Sequence, residues 1–173
     1  MRPRRIEPGP GQESVWDYPR PPRVEPVDRP IEVSVRTPDG TLVVVAATTR
    51  GRRVVETSQA PAYYFPPEDV EHSLLRPSRT VTWCEWKGTA AYVDLVLVDG
   101  TGTRTVADAA WTYPSPTPAF AGISGWFAFY AGRVDRCRVG EHEVTPNDGD
   151  FYGGWITPDL VGPFKGGPGS RGW

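Results

Sequence analysis

The stretch from Thr80 to Tyr113 limits the fold more than any other part of the chain. From Ala91 to Val98, and again from Thr103 onward, apolar and polar residues alternate with the period of two that is typical of a strand with one buried face. The four residues D-G-T-G between these runs have the composition of a tight hairpin turn. The pattern therefore predicts an antiparallel hairpin at the centre of the domain.

Composition extends this prediction to the whole chain. The 173 residues are enough for one domain with a sizeable core, and 20 prolines and 19 glycines leave little room for helix. We expect a mainly β, antiparallel fold with one short helix. The helix is predicted over Pro67 to Arg76, where Glu68 and Asp69 favour a helix start and Pro77 favours its end.

Charge and cysteine content exclude several classes of protein. The net charge is −2 with both signs interspersed, so no basic surface favours nucleic acid. The longest apolar run, Leu42 to Ala47, is too short to cross a bilayer, so we expect no membrane partner and a cytoplasmic location. Cys84 and Cys137 form no C-x-x-C pair and so no zinc-ribbon pattern. We expect no metal and no cofactor. The oligomeric state stays open, with a homodimer as one option.

The two ends of the chain differ in composition from its middle. Residues 1–30 are rich in Pro, and we expect this extension to dock on the domain through Trp16 and Tyr18. Residues 31–144 are predicted to form the core domain. Residues 145–173 combine glycines with aromatic residues and are predicted to wrap around it, because disordered tails are poor in aromatics.

Five motifs together resemble the family called domain of unknown function 427. They are E-T at Glu56, Y-Y-F-P-P-E-D-V from Tyr63, C-E-W-K-G from Cys84, A-A-W-T-Y-P from Ala109, and G-W-F-A-F-Y-A-G-R-V-D up to Asp135. The match spans about Ile31 to Val139. Family members commonly have Pro where this chain has Glu85, which places an extra carboxylate beside Lys87.

The resemblance implies a small antiparallel fold of the β-tent type, shared with Mss4-like proteins, methionine sulfoxide reductase B and the cereblon ligand-binding domain. Many β-tent proteins carry a four-cysteine zinc site, and this sequence lacks the residues for one. The family has also been labelled nucleotidyltransferase-like.

Charged residues set among aromatic rings give the sharpest functional hypothesis. A carboxylate and an ammonium group beside Trp and Tyr rings lose hydration, which suits them to proton transfer. We therefore expect an enzyme of the isomerase, lyase or cyclase type that acts on a small organic molecule, with Glu56 as general base and Lys87 stabilising negative charge. The residues expected to bind the substrate are Tyr63, Tyr64, Cys84, Trp86, Trp111, Tyr113 and Tyr130.

Other interpretations of the same residues remain open. Glu56 and Lys87 could form a structural ion pair, or Lys87 could lie over Trp86. The chain would then be a non-catalytic module that binds a small ligand or a partner. Cys84 is more typical of an inert thiol than of a nucleophile. Nucleotidyl transfer is a third option, since the D-G-D sequence that begins at Asp148 could hold Mg²⁺, although it is also typical of a turn.

Overall fold

The structure, a computed structural model, describes residues 3–173. The chain is mainly β, as the sequence predicts, and it forms several small sheets that are almost entirely antiparallel. In chain order the strands are β1 (Glu13–Ser14), β2 (Arg23–Pro26), β3 (Ile31–Arg36), β4 (Leu42–Thr48), β5 (Arg52–Val55), β6 (Ala62–Tyr64), β7 (Leu75–Cys84), β8 (Gly88–Asp99), β9 (Gly102–Thr112), β10 (Phe127–Phe129), β11 (Arg136–Val139), β12 (His142–Glu143), β13 (Thr145–Pro146), β14 (Trp155–Ile156) and β15 (Leu160–Val161).

The predicted hairpin is confirmed and lies in the middle of a four-stranded sheet with the order β10-β9-β8-β7. Strands β8 and β9 pair up to Asp99 and Gly102, so the turn between them has two residues. Within this hairpin Tyr92 is directly opposite Trp111. Because side chains alternate along a strand, one face of the sheet carries these aromatic residues and the other carries aliphatic ones such as Leu95.

The interior divides into two large apolar clusters. The first joins the central sheet to a second four-stranded sheet, with the order β12-β11-β3-β4, and contains Val33, Leu95 and Phe129. The second is rich in tyrosine and occupies the aromatic face of the central sheet. Its buried aromatic members are Tyr64, Tyr92, Trp111, Tyr113, Phe120 and Tyr130.

A three-stranded sheet, with the order β2-β5-β6, completes the surroundings of the aromatic cluster. Glu56 directly follows β5, and Tyr64 ends β6. Phe65 exchanges two backbone hydrogen bonds with Phe127 in β10, with N–O distances of 2.8 and 3.0 Å. This bridge holds the small sheet beside the central one and brings Glu56 next to the tyrosines.

The segment predicted as a helix over Pro67 to Arg76 differs in the structure. It forms two single 3-10 turns, Pro67–Asp69 and His72–Leu74, and strand β7 then begins at Leu75. The N–H of Glu71 donates to the carbonyl of Val45 at 2.7 Å, so pairing with β4 interrupts the helical hydrogen bonds. Two further segments of 3-10 structure span Val15–Asp17 and Pro118–Ile123. Among residues 3–173, none of these turns is long and apolar enough to cross a membrane.

Both ends of the described chain pack against the core. Strand β1 pairs with β15, and Val15 and Tyr18 form a third buried cluster with Val55 and Leu160. Strand β2, from the Pro-rich extension, pairs along β5. Near the other end, Trp155 is fully buried.

Candidate functional site

A cavity of about 280 Å³ opens on the aromatic face of the central sheet. Its walls come from four regions: the end of β5 with the turn that follows it, strand β6, the central sheet with its β7–β8 loop, and the C-terminal segment. The lining residues are Val54, Glu56, Gln59, Ala60, Ala62, Tyr64, Thr82, Trp83, Cys84, Glu85, Trp86, Lys87, Tyr92, Trp111, Tyr113, Tyr130, Phe151, Tyr152, Gly153, Gly154 and Lys165.

Eight of the nine residues selected from the sequence line this one cavity. They are Glu56, Tyr64, Cys84, Trp86, Lys87, Trp111, Tyr113 and Tyr130. They come from separate parts of the chain, so the sheets rather than local sequence bring them together. Their roles stay predictions, because proximity alone assigns no chemistry.

Tyr63 is the exception and lies outside this cavity. It neighbours Tyr64 on β6, and successive side chains of a strand point to opposite faces. Tyr63 therefore faces the first apolar cluster, where its ring stacks on Trp155 with centroids 5.1 Å apart. It also lines a second, more polar cavity with Arg53 and Asp159. Its predicted place at the aromatic site is thus corrected.

Glu56 presents a largely shielded carboxylate to the cavity. Its side chain is only 15% exposed, and its Oε1 lies 3.5 Å from Nε of Arg20. Arg20 also donates to the carbonyl of Thr57 at 2.9 Å, which ties the N-terminal segment to the end of β5. The Arg20 contact holds the Glu56 carboxylate in place beside the aromatic cluster. The sequence gives no local signal for it, because the two residues are far apart in the chain.

Lys87 ends the three-residue loop between β7 and β8. The loop closes where Cys84 pairs with Gly88, whose φ of +95° suits glycine. Thr117 fixes the loop from outside, since its hydroxyl donates to the carbonyl of Trp86 at 2.6 Å and its N–H donates to that of Lys87 at 3.2 Å. The loop geometry therefore sets where the Lys87 ammonium can reach.

The Lys87 ammonium lies over aromatic rings. Its Nζ is 5.6 Å from the centroid of Tyr113 and 5.7 Å from that of Phe120, rather than over Trp86 as one interpretation of the sequence had it. Within residues 3–173, Lys87 forms no salt bridge with Glu56 or with any other carboxylate. The structural ion pair considered from the sequence is therefore not formed. Glu56 pairs with Arg20 instead.

Five tyrosines line the cavity, namely Tyr64, Tyr92, Tyr113, Tyr130 and Tyr152, and the hydroxyls of Tyr92 and Tyr130 form a chain of hydrogen bonds. The hydroxyl of Tyr92 lies 3.0 Å from the Oγ1 of Thr82 and 3.4 Å from the hydroxyl of Tyr130. Burial raises the pKa of Tyr64, Tyr113 and Tyr130. These three phenols therefore keep their protons at neutral pH and can donate hydrogen bonds.

Three further parts of the wall were not identified from the sequence. Tyr92 could have been found, since it alternates in phase with the buried Ala90 of the same strand. Lys165 and the pair Gly153 and Gly154 carry no such signal, because they come from the irregular C-terminal segment.

Gly153 lets the C-terminal segment approach the aromatic face closely. A Cβ at this position would lie 2.3 Å from a ring atom of Trp111 and 3.3 Å from a ring atom of Tyr130. Only a residue without a side chain allows this contact. The segment thereby forms one wall of the cavity.

Cys84 lines the cavity as a half-buried free thiol. Neither histidine lies there. His72 packs against Phe127, and His142 lies in β12. Both histidines therefore lie outside the cavity, away from the Cys84 thiol.

The D-G-D loop that could suggest a metal site is exposed. Asp150 pairs with Arg133 at 3.0 Å, and its side chain is 93% exposed. In the described part of the chain, no group of three or more His, Cys, Asp and Glu side chains is arranged to hold a metal ion. Asp148 and Asp150 lie in an exposed bend.

Comparison with known proteins places the chain in a family. A family model described as a domain of unknown function, DUF427, matches residues 23–140, which is more than half of the chain. No curated protein matches. The matched region includes Glu56, Lys87 and four of the five cavity tyrosines, whereas Phe151 to Gly154, which include Tyr152, and Lys165 lie beyond it. The resemblance carried by the five motifs is thus confirmed, and the chain belongs to the DUF427 family.

Proposed function

We propose that the protein is an enzyme that transfers a proton on a small organic molecule held in the aromatic cavity, as an isomerase, lyase or cyclase does. One observation carries the proposal: Glu56, a shielded carboxylate, and Lys87, an ammonium group with no carboxylate partner among residues 3–173, line the same aromatic cavity. Such a pair supplies a base and a positive charge in a site that excludes much of the water.

The two groups have complementary roles in this reaction. The carboxylate of Glu56 accepts a proton from a C–H bond, and the electron pair of that bond moves into the substrate. Lys87 stabilises the negative charge that develops at the far end of the electron movement. The rings of Trp86 and Trp111 contact the apolar body of the substrate.

Arg20 supports Glu56 without reaching the reacting atoms. Its contact at 3.5 Å leaves the second carboxylate oxygen, Oε2, outside this ion pair. A base must be held in one orientation if its proton transfer is to be efficient. Arg20 is therefore assigned as a positioning residue.

The ring opening of 5-nitrobenzisoxazole tests this proposal with a defined probe. A base removes the proton on its carbon, the N–O bond breaks, and a nitrile and a coloured phenolate form, so no other reactant is needed. Glu56→Gln should lower the rate by about a hundredfold, since general base catalysis contributes at least that much. Lys87→Met should lower it by a similar factor, because the phenolate charge loses its partner. If both variants turn over the probe as fast as the wild type, the proposal is wrong.

A binding module without catalysis is the second candidate. It is favoured by one observation, that both charges already have partners within the protein: Arg20 for Glu56, and the rings of Tyr113 and Phe120 for Lys87. A module of this kind would bind 5-nitrobenzisoxazole and release it unchanged. Binding by fluorescence quenching without phenolate formation would favour this candidate.

A further inference from the structure

We propose that the substrate is an enolisable carbonyl compound and that its oxygen is bound by the hydroxyls of Tyr64 and Tyr113 together with the ammonium of Lys87. This inference rests on the proposed proton transfer and names its substrate class. It is based on which hydroxyls at the cavity already have acceptors and which do not.

Tyr64 has a proton to donate and no acceptor for it within residues 3–173. Its side chain is 1% exposed and lines the cavity, and its hydroxyl oxygen accepts a hydrogen bond from Nε1 of Trp111 at 3.1 Å. A phenol can donate one hydrogen bond as well as accept. A buried donor without a partner is costly, so an acceptor on the ligand would stabilise it.

Tyr113 presents a second such hydroxyl. The residue is 6% exposed and lines the cavity, and its hydroxyl forms no hydrogen bond with any residue that the structure describes. The ammonium of Lys87 lies over the same ring, 5.6 Å from its centroid. All three donors, from Tyr64, Tyr113 and Lys87, line the same cavity.

Tyr92 and Tyr130 differ, because their hydroxyls already form hydrogen bonds within the protein. Tyr92 interacts with Thr82 and with Tyr130, and Tyr130 also donates to the carbonyl of Phe151 at 3.4 Å. Both hydroxyls therefore have their hydrogen-bond partners within the protein. The hydroxyl of Tyr152 also has no partner within residues 3–173, but this residue is partly exposed to water, so the buried tyrosines of the cavity whose hydroxyls lack an acceptor are Tyr64 and Tyr113.

A carbonyl oxygen suits these donors better than a carboxylate does. Glu56 and Glu85 also line the cavity, and their charges oppose a ligand that already carries a full negative charge. A neutral carbonyl can approach Glu56 and acquires charge on its oxygen only as the proton leaves. Donors placed at that oxygen lower the barrier, because they bind the transition state more strongly than the ground state.

The reaction is balanced without another reactant. Glu56 takes the proton from the carbon beside the carbonyl, the C–H electron pair forms a carbon–carbon double bond, and the carbonyl π electrons move to the oxygen. The resulting enolate accepts hydrogen bonds from Tyr64 and Tyr113. When the substrate is a β,γ-unsaturated carbonyl compound, the enolate is conjugated with its second double bond, and return of the proton from Glu56 to the γ carbon completes an isomerisation.

Binding of 4-nitrophenolate tests the oxygen site, because its oxygen mimics that of an enolate and its visible absorbance reports ionisation. In Glu56→Gln, which removes a carboxylate charge that opposes an anion, the phenolate should bind more tightly than the neutral phenol. Tyr64→Phe and Tyr113→Phe should each weaken phenolate binding by about tenfold, which is the contribution of a hydrogen bond to a charged group. Tyr63→Phe is the matched control, since it is a buried neighbour that faces away from the cavity.

The outcomes separate this inference from the proposed function. Glu56→Gln should keep or tighten phenolate binding while losing the ring opening of 5-nitrobenzisoxazole. If Tyr64→Phe, Tyr113→Phe and Tyr63→Phe all bind the phenolate as the wild type does, the oxygen site is wrong even where Glu56 proves to be the base. If the tyrosine variants weaken binding but Glu56→Gln turns over normally, the oxygen site stands and the base assignment fails.

Discussion

Tyr63 and Tyr64 show how much a single position matters in this molecule. The two residues have the same side chain and are adjacent on β6, yet one packs on Trp155 and the other lines the cavity. Alternation along a strand decides this, and it can be read from sequence once the strand and its buried face are known. Arg20 and Lys165 could not be placed in the same way, because only the tertiary fold brings them to Glu56 and to the cavity.

A methyl group at Gly153 should disturb both the fold and the cavity. Gly153→Ala places a Cβ 2.3 Å from the ring of Trp111, and relief of such a clash moves the ring or the C-terminal wall. We expect the free energy of unfolding to fall by about 1–3 kcal/mol, as in other overpacked sites. Urea denaturation measures this.

Gly100→Ala is the control for that experiment, because no atom lies within 4 Å of the added carbon and the backbone there is not left-handed. It should change the free energy of unfolding by less than about 0.5 kcal/mol. Equal stability of Gly153→Ala and Gly100→Ala would show that the C-terminal wall is not packed on Trp111.

At the level of elements, strands were predictable and the helix was not. The β8–β9 hairpin has a long alternating pattern and a local turn signal in its sequence, and the structure contains the two strands and the turn that these predict. The segment after Pro67 has good helix-start residues but is short, and an isolated helix of that length is marginal. Pairing of Glu71 with β4 and the burial of Val70 outweigh its propensity.

Asp135 links two sheets, and the stability that its carboxylate contributes should depend on pH. Its Oδ2 accepts from the N–H of Arg36 in β3 at 2.8 Å and from the guanidinium of Arg104 in β9 at 2.6 Å. Burial alone would raise the pKa of Asp135, but these hydrogen bonds and the charge of Arg104 lower it overall. Asp135→Asn should therefore cost about 1 kcal/mol of stability at pH 7.

The sign of the pH dependence follows from that lowered pKa. The folded state binds the proton of Asp135 less readily than the unfolded state does, so the stabilisation is fully present above the unfolded pKa of about 4 and disappears as the pH falls through the folded pKa. Thermal unfolding at pH 7 and at pH 3 measures this. Asp150→Asn, at a carboxylate whose side chain is 93% exposed, should show little change at either pH. A stability difference for Asp135→Asn that grows on acidification would contradict the assignment.

For the molecule as a whole, the segments outside the matched family region complete the fold. Residues beyond 140 supply Trp155 to the first core and a wall to the cavity. The family motifs singled out Glu56 and Lys87 from the sequence. That the two residues line one cavity could not be predicted in this way, because it depends on how three sheets pack together. The irregular C-terminal backbone has no periodic pattern from which that wall could be predicted.

Trp155→Ala should measure how far the C-terminal segment stabilises the domain. The ring is fully buried, stacks on Tyr63, and donates from Nε1 to the carbonyl of Phe129 at 2.9 Å. We expect a loss of about 3–5 kcal/mol in the free energy of unfolding, as for other buried Trp residues. Trp83→Ala, at a side chain that is 72% exposed, should cost less than about 1 kcal/mol in the same denaturation experiment. Similar losses for the two variants would show that the segment is not part of the core.

The most direct measurement of the central claim compares two carboxylates, each of which pairs with an arginine. Glu56 pairs with Arg20 at the cavity, and Glu68 pairs with Arg50 at 3.0 Å in an exposed turn outside it. Ring opening of 5-nitrobenzisoxazole, followed by its coloured phenolate, should slow by about a hundredfold in Glu56→Gln and be unchanged in Glu68→Gln. Equal rates for the wild type and both variants would contradict the account.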